Sequence, residues 1–357
     1  MSENGAKMEL EDFLKEITES DGVAGFEENV SGPIARAFAP YVDETRRDNL
    51  GNLIFYKKGK NAAAPRVMFC AHMDEIGLIV TGIEERGFLR FSTLGGFDAR
   101  TLPGQEVTVY GKEKYPGVIG HLPPHLCKGE QKKKAPEIKD LFIDTGLPED
   151  VVRAGIDVGA VVALRRNFVT LRHRCRAGKA FDDRAGVALL WQCARELSRM
   201  DHAADVFLVA TVQEEVGTRG AVVSTFGLAP DLGVAVDVCH GDFPGAAEHE
   251  VSPLGKGPVI TSGPNIHPCL FERLRAVAAD YHLPCELDVS PGPTGTDARA
   301  IQVSREGIPA ALLSVPLRYM HTSVELLDLD DLKTGGRLLA FFTTSLDRAF
   351  VEGLACF

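Results

Sequence analysis

The first candidates for chemistry in this 357-residue chain are two adjacent glutamates, Glu214 and Glu215, at the end of an apolar run. The run covers residues 206–212, and the glycine-containing segment VGTRGA follows the pair. Unpaired carboxylates at the end of a buried segment are costly, and Arg219 is one of few cations nearby. A pair of divalent metal ions would resolve this conflict, because carboxylates and imidazoles are natural ligands of zinc and cobalt. Adjacent side chains point in different directions, so one glutamate can bind metal while the other transfers a proton.

Further ionisable residues fall just after other apolar runs. His72 and Asp74 lie in AHMDEIG, and residues two apart on an extended segment share one face. Asp74 can therefore accept a hydrogen bond from the far ring nitrogen of His72 and fix the tautomer that binds metal. Asp237 and His321 follow two later apolar runs in the same way.

Two adjacent aspartates, Asp182 and Asp183, stand at the start of a helical pattern in GKAFDDRAGV. A helix cap is the simplest role for an aspartate in this position. We favour it for Asp183, or else a pairing with Arg184. Asp182 is favoured as a metal ligand, because the other candidate ligands converge on its layer of the fold.

The elements that must position these residues alternate between strand and helix. Short, continuous apolar segments typical of strands covered on both faces occur at residues 67–71, 206–212, 232–238 and 310–315. Helical patterns cover residues 10–19, 28–38, 184–198, 270–280 and 329–350. The alternation predicts an α/β fold, with a mixed, mostly parallel sheet flanked by helices. The candidate residues then lie at the carboxyl ends of the strands, where open α/β sheets bind ligands.

Residues 77–167 have a different texture, with short β-rich pieces broken by glycine and proline. The α/β pattern continues on both sides of this stretch. We therefore interpret it as a small β-rich domain, a barrel, a sandwich or a PDZ-like fold, inserted into a loop of the first domain. The predicted division is one discontinuous domain at residues 1–76 and 168–357 and an inserted domain at 77–167.

Composition narrows the class of protein. A formal net charge of −11 argues against nucleic-acid binding, and the one basic run, at residues 132–134, is interpreted as a solvated loop. No run of about eighteen apolar residues is long enough to cross a membrane, and the first residues lack a signal-peptide pattern. The eight cysteines are scattered, as expected in a reducing compartment. We therefore expect a cytoplasmic protein without membrane or nucleic-acid partners.

Six segments together resemble a known family. They are CAHMDEIGLIV, GKAFDDRAGV, VQEEVGTRGA, VAVDVCHGDFPG, PTGTDARAIQVSREGIP and PLRYMHTSVELLDLDDL. In this order and spacing they resemble the co-catalytic metallo-aminopeptidases that form tetrahedral (TET) assemblies, metallopeptidase family forty-two, which includes glutamyl, leucyl and lysyl aminopeptidases. The resemblance implies a catalytic α/β domain interrupted by a β-rich dimerisation domain. It also implies a homo-oligomer, a dodecamer built from dimers.

The same resemblance implies a role for each candidate. Two divalent ions per subunit are expected, zinc or cobalt, with manganese also possible. Five residues are implied to bind them: His72 and Asp237 one ion, Glu215 and His321 the other, and Asp182 both. Glu214 matches the general base and Asp74 the residue that supports His72. The implied reaction removes the N-terminal residue of a short peptide by attack of a water that the two metals bridge.

Several alternatives stay open. A related deacylase or dipeptidase could use the same metal pair. A non-catalytic assembly protein would have no use for a base such as Glu214, and a polysaccharide hydrolase would leave His72 and His321 without a role. The segment TGTDARA, with Asp297, resembles the lining of a substrate pocket, and His267 is interpreted either as pocket lining or as the entry to a helix.

Overall fold

The fold was analysed in a computed structural model that describes residues 8–61, 64–123, 125–126 and 135–354. The basic run at residues 132–134 lies outside these ranges. In chain order the α-helices are α1 (Leu10–Glu19), α2 (Glu28–Phe38), α3 (Glu149–Gly155), α4 (Phe181–Leu197), α5 (Arg219–Leu228), α6 (Pro268–Asp280), α7 (Asp297–Gln302), α8 (Leu329–Thr344) and α9 (Arg348–Glu352). Within the described ranges, no helix combines the length and apolar character needed to cross a membrane. The cytoplasmic location stays a prediction.

The strands form one large sheet, one closed barrel and one small sheet. In chain order they are β1 (Glu44–Arg47), β2 (Leu53–Lys57), β3 (Arg66–His72), β4 (Gly77–Ile83), β5 (Leu89–Leu94), β6 (Glu106–Tyr110), β7 (Lys114–His121), β8 (Leu141–Asp144), β9 (Val161–Leu164), β10 (Val169–Thr170), β11 (Cys175–Gly178), β12 (Asp205–Thr211), β13 (Leu232–His240), β14 (Val259–Ser262), β15 (Glu286–Val289), β16 (Ala310–Leu317) and β17 (Glu325–Asp328). The large sheet has the order β1-β2-β12-β3-β13-β16-β14-β15. Its central strands β12, β3, β13 and β16 run parallel, which confirms the predicted α/β class.

The central strands are the four apolar segments that the sequence singles out. In β3 every residue after Arg66 is buried, as is every residue of β16. The register pairs Thr211 of β12 with His72 of β3, and Ala235 of β13 with Cys70. The carboxyl ends of three neighbouring strands therefore reach the same edge of the sheet, and the residues that follow them are brought together there.

The helices cover both faces of this sheet and agree with the predicted periodicity in most places. The apolar residues predicted to face the core from α1, such as Phe13 and Ile17, are buried. The single helix predicted over residues 329–350 is wrong. The structure divides it into α8 and α9, because the carboxylate of Asp347 accepts a hydrogen bond from the amide of Phe350 and begins a new helix there.

The barrel closes in the order β4-β5-β8-β7-β6-β9 with antiparallel neighbours and has its own buried core, including Leu78, Val107 and Ile143. All six strands come from within residues 77–167. Closure pairs every strand on both sides and so leaves no free edge. The β-rich texture of this stretch thus has its expected structural counterpart, while the domain boundaries and the dimerisation role stay predictions.

Candidate active site

The predicted site residues meet at the carboxyl edge of the large sheet, in a cavity of about 940 Å³. His72 ends β3 and Asp237 lies near the end of β13, while the glutamate pair follows β12. Asp182 lies at the start of α4, and the loop between β16 and β17 carries the remaining histidine. The cavity is lined by six of the seven predicted residues: His72, Asp182, Glu214, Glu215, Asp237 and His321.

Asp182 lies between the two histidines. Its Oδ1 is 3.0 Å from Nε2 of His72, and its Oδ2 is 3.3 Å from Nε2 of His321. Oε1 of Glu215 is 3.4 Å from the same nitrogen of His321. One donor atom each from His72, Asp182 and Glu215 lies within 4.8 Å of the others. The two oxygens of Asp182 thus face different partners, as suits a carboxylate shared by two ions.

A second group of donor atoms within 4.8 Å of one another belongs to His72, Asp183 and Asp237. Asp183 is already engaged, because its Oδ1 accepts the Gly186 amide at 2.9 Å and its Oδ2 the His72 amide at 3.3 Å. The first of these bonds is of the helix-capping type, made where the backbone within α4 is still non-helical, and it agrees with the capping role favoured for Asp183. Oδ1 of Asp237 accepts its neighbouring amide, that of Val238, at 2.8 Å, and Asp237 lines the cavity.

Asp74 contacts His72 mainly through its backbone. Nδ1 of His72 is 3.1 Å from the Asp74 carbonyl oxygen and 3.5 Å from its carboxylate Oδ1. The two carboxylate oxygens of Asp74 instead accept the amides of Glu214 and Glu215, at 3.0 and 3.1 Å. The carbonyl of Asp74 thus orients the imidazole, and its carboxylate fixes the backbone of the glutamate pair.

A buried ion network lies behind the site. Glu75 accepts hydrogen bonds from Nζ of Lys179 at 2.9 and 3.0 Å and from the Arg184 guanidinium at 3.2 Å. Lys179 also donates to Asp21 at 2.7 Å, and the amide of Gly22 donates to Glu75 at 2.8 Å. The side chain predicted as a possible partner of Asp183, that of Arg184, therefore pairs with Glu75 instead. The network joins the segment after β3, which carries Asp74, to the start of α4, which carries Asp182.

The site gathers more carboxyl groups than cationic side chains. Burial and the nearby charge of Asp237 raise the pKa of Glu214 to about 9. Hydrogen bonds to Asp182 and Glu215 raise the pKa of His321 to about 11. In the part of the chain that the structure describes, the ion-pair partners of Asp182 and Glu215 are histidines, with no lysine or arginine among them. Carboxylates and imidazoles gathered without a fixed cation form a donor set that fits divalent metal ions.

The structure gives the positions of two features that the sequence left open, the segment TGTDARA with Asp297 and the side chain of His267. Asp297 is buried beneath the cavity rather than lining it, and its Oδ2 accepts a hydrogen bond from the Thr211 hydroxyl at 2.6 Å. Burial raises the pKa of Asp297 to about 6. Both threonines of TGTDARA line the cavity. His267 marks the entry to α6, with Nε2 at 3.0 Å from the carbonyl of Leu354, and it does not line the cavity.

Sequence reasoning missed a pair of glycines, Gly95 and Gly96, that come from the barrel and lie against Glu215 and His321. The adjacent glycines in STLGGF were the available signal. It also missed the left-handed backbone at Gln213 and His321, with φ of 57° and 60°, which non-glycine residues adopt uncommonly. Gln213 directly precedes the predicted base Glu214, and His321 is a predicted ligand.

Comparisons with known proteins agree with this fold. The model of the family described as M42 glutamyl aminopeptidase matches residues 51–338. Lysyl aminopeptidase of Pyrococcus furiosus is 39% identical over 96% of this chain and 97% of its own length. A solved TET aminopeptidase from the archaeon Thaumarchaeota archaeon SCGC AB-539-E09 has a TM-score of 0.92 at 35% identity, covering 97% of this chain and 99% of that one.

A third similar protein is the TET1 peptidase of Pyrococcus horikoshii, whose structure is described as assembling into a tetrahedron or a large octahedral shell. Its TM-score is 0.83 at 32% identity, with 95% of this chain and 100% of that chain covered. The fold and the matches together define a peptide hydrolase of the aminopeptidase class. The chain belongs to the M42 glutamyl aminopeptidase family.

Proposed function

We propose that this aminopeptidase removes the N-terminal residue of short peptides with two divalent metal ions and with Glu214 as the general base. The observation that carries the proposal is the position of Asp182, with one oxygen 3.0 Å from His72 and the other 3.3 Å from His321. A carboxylate whose two oxygens face two different imidazoles can be shared by two metal ions, each with one of the imidazoles as a further ligand.

In this proposal His72 and Asp237 hold one ion, Glu215 and His321 hold the other, and Asp182 is shared. The ions are zinc or cobalt, with manganese as a further candidate, because all three accept mixed nitrogen and oxygen ligands. When bound, such ions supply a water with a lowered pKa and polarise the peptide carbonyl.

Glu214 is proposed to move the proton. Its side chain lines the cavity, while its backbone amide is fixed by Asp74 at 3.0 Å. Glu215, by contrast, points its Oε1 toward His321 at 3.4 Å. Glu214 is therefore free to accept a proton from the attacking water and to deliver it to the departing amine. Its pKa, raised to about 9 by burial and neighbouring carboxylates, would fall when cations bind beside it.

We further propose that the enzyme favours a basic N-terminal residue. Among the residues that the structure describes, three acidic side chains line the cavity in addition to the predicted site residues: Glu248, Glu250 and Asp288. The one lysine or arginine among these described lining residues is Arg299. An acidic wall attracts a cationic side chain and repels an anionic one. The 39% identity to a lysyl aminopeptidase supports the same preference.

A panel of chromogenic aminoacyl substrates, assayed after metal removal by a chelator and re-addition of zinc, cobalt or manganese, tests these proposals. We expect activity to disappear with the metal and return with it, and Lys and Arg substrates to have higher kcat/KM than Glu substrates. Activity that survives metal removal would contradict the metal-dependent mechanism. N-acetylated peptides should resist cleavage, and equal cleavage of both forms would favour a di-metal deacylase instead.

We also propose that the subunits form a homo-oligomer, a dodecamer built from dimers. The support is the 32% identity and 0.83 TM-score to the tetrahedron-forming peptidase. Light scattering coupled to size-exclusion chromatography should give about twelve times the subunit mass of 38.6 kDa. A single species of one or two subunits would contradict this assembly.

A further inference from the structure

The turn after β5 belongs to the barrel, yet it lies against two proposed ligands of one metal ion. A Cβ atom placed on Gly96 would lie 2.9 Å from Nδ1 of His321. A Cβ atom on Gly95 would lie 3.1 Å from Oε2 of Glu215 and 2.6 Å from the side chain of Ile76. Gly95 also has a φ of +85°, which side chains rarely adopt. Gly95 therefore favours glycine through both its backbone conformation and its close neighbours, while a side chain at Gly96 would displace the His321 ring. The bare backbone of the turn lies close beside both ligands.

Polar contacts fix this turn to the rest of the site. Oε1 of Gln105, next to β6 of the barrel, accepts a hydrogen bond from the hydroxyl of Ser323 at 2.9 Å. Ser323 is buried and lies two residues after His321 in the same loop. The barrel makes a second polar contact through β6, where the Tyr110 hydroxyl donates to Asp21, in the segment after α1, at 2.5 Å. The barrel is thus bonded to the loop that carries one ligand and to the buried ion network.

An apolar cluster also packs between the barrel and the segment that connects α1 and α2. Val23, from the segment between α1 and α2, packs with Val161 and Ala163 of β9, and Leu94 and Tyr110 lie against them. Leu94 directly precedes the glycine turn. Removal of these apolar side chains from water is favourable, and it therefore stabilises the position of the turn beside the site.

We propose that the barrel is a structural part of the metal site, and that Gly95 and Gly96 are positioning residues for Glu215 and His321. This inference rests on the proposed two-metal function. His321 needs such support, because its left-handed φ of 60° is unfavourable for a histidine and its side chain is 38% exposed. Groups that orient metal ligands commonly change metal affinity by about 10- to 100-fold when altered.

The test is a titration of metal-free protein with zinc, followed by calorimetry and by competition with a chromophoric chelator. In Gly96→Ala the added methyl group would displace His321, so we expect one of two ions to bind about 10- to 100-fold more weakly and the other to keep its affinity. Gly82→Ala is the matched control, because it adds a methyl group to β4 of the same barrel with its nearest neighbour at 3.9 Å. It should bind both ions as the wild type does.

A second variant covers the case in which Gly96→Ala does not fold. Ser323→Ala removes the bond to Gln105 without adding bulk and should weaken the same ion in the same direction, by a smaller factor. Wild-type affinity for both ions in Gly96→Ala, or in Ser323→Ala if the first variant is unfolded, would overturn the positioning role. A wild-type protein that binds no divalent ion would instead contradict the proposed function itself, so the two failures are distinguishable.

Discussion

At the residue scale, one carboxylate sets the directions of two others. Asp74 accepts the amides of Glu214 and Glu215 at 3.0 and 3.1 Å, so their backbone cannot rotate freely. The side chain of Glu215 then approaches His321, at 3.4 Å, while that of Glu214 lines the cavity. Two like charges side by side thus serve different proposed purposes, one as a ligand and one as a base.

The role of Glu214 gives the first prediction. Glu214→Gln keeps the size and hydrogen-bonding capacity of the side chain but cannot accept a proton, so we expect kcat to fall by about 10² to 10⁴. Metal content, measured by elemental analysis, should stay at two ions per subunit. Glu272→Gln, at an exposed position on α6, is the control and should be fully active. Near-normal turnover by Glu214→Gln would remove it from the mechanism.

The shared position of Asp182 gives the second prediction. Asp182→Asn removes the negative charge that faces both His72 and His321, so both metal ions should bind more weakly. We expect fewer than two ions per subunit and a larger loss of activity than in Glu214→Gln. The decisive measurement is metal stoichiometry after dialysis against a weak chelator. Two retained ions together with full activity would exclude a bridging role.

Residue types and spacing were sufficient to find the site but not all of its contacts. The sequence places His72, Glu215 and His321 after apolar segments and Asp182 at the start of a helical pattern, and the structure brings their donor atoms together. The two hydrogen bonds that the Asp74 carboxylate accepts from the glutamate amides depend on the register of β3 against β12. No local sequence pattern reveals this register. Gly96 follows β5 of the barrel, and only the packing of the barrel places it beside the ligands.

At the scale of elements, the buried ion network fastens the segment after β3 to the start of α4. Glu75 and Asp21 face Lys179 and Arg184, and Glu75, Lys179 and Arg184 are nearly inaccessible to water. The charges balance in number, two of each sign. Removing one partner from such a group leaves a buried charge without compensation.

The network gives the third prediction. Glu75→Gln should lower the free energy of unfolding by on the order of 3 kcal/mol, because Arg184 and Lys179 lose their shared counter-ion. Urea denaturation at one fixed protein concentration measures this, since assembly also contributes to stability. Glu16→Gln, which breaks the exposed pair with Arg36, is the control and should cost at most about 1 kcal/mol.

A double variant separates pairing from packing. In Glu75→Gln/Lys179→Met the loss of a negative charge is matched by the loss of a positive charge. The free energy of unfolding should therefore fall by less in the double variant than in the two single variants added together. Strict additivity would show that the residues do not act as a pair. Wild-type stability of Glu75→Gln alone would show that the network does not hold the two segments together.

The elements themselves follow from the sequence to different degrees. The central strands were predictable because burial on both faces makes them continuously apolar, as in β3 and β16. Helix ends were harder to predict, because a single side chain can determine where a helix begins. Asp347 begins α9 in a stretch whose apolar spacing otherwise favours a continuous helix, and α4 begins at Phe181 with non-helical backbone at Asp182 and Asp183.

At the scale of the whole molecule, an apolar patch lies on the surface beside the cavity. Val222, Val223 and Phe226 of α5 are exposed by 50, 42 and 61%, and Val303, directly after α7, by 72%. They line a groove of about 510 Å³, and the guanidinium of Arg305 lies over the Phe226 ring. Contiguous exposed apolar surface usually marks an interface. The proposed dodecamer supplies a partner for it, a second copy of this chain.

This patch gives the fourth prediction. Phe226→Asp places a charge at its centre, where burial against a second subunit would be strongly unfavourable, so we expect the dodecamer to dissociate into smaller species. Size-exclusion chromatography with light scattering measures the change in mass. Val169→Asp, at an exposed valine of β10 outside the patch, is the control and should leave the assembly intact. Because Phe226 does not line the catalytic cavity, the dissociated variant should still bind two metal ions. An unchanged mass for Phe226→Asp would show that the patch faces solvent in the assembled enzyme.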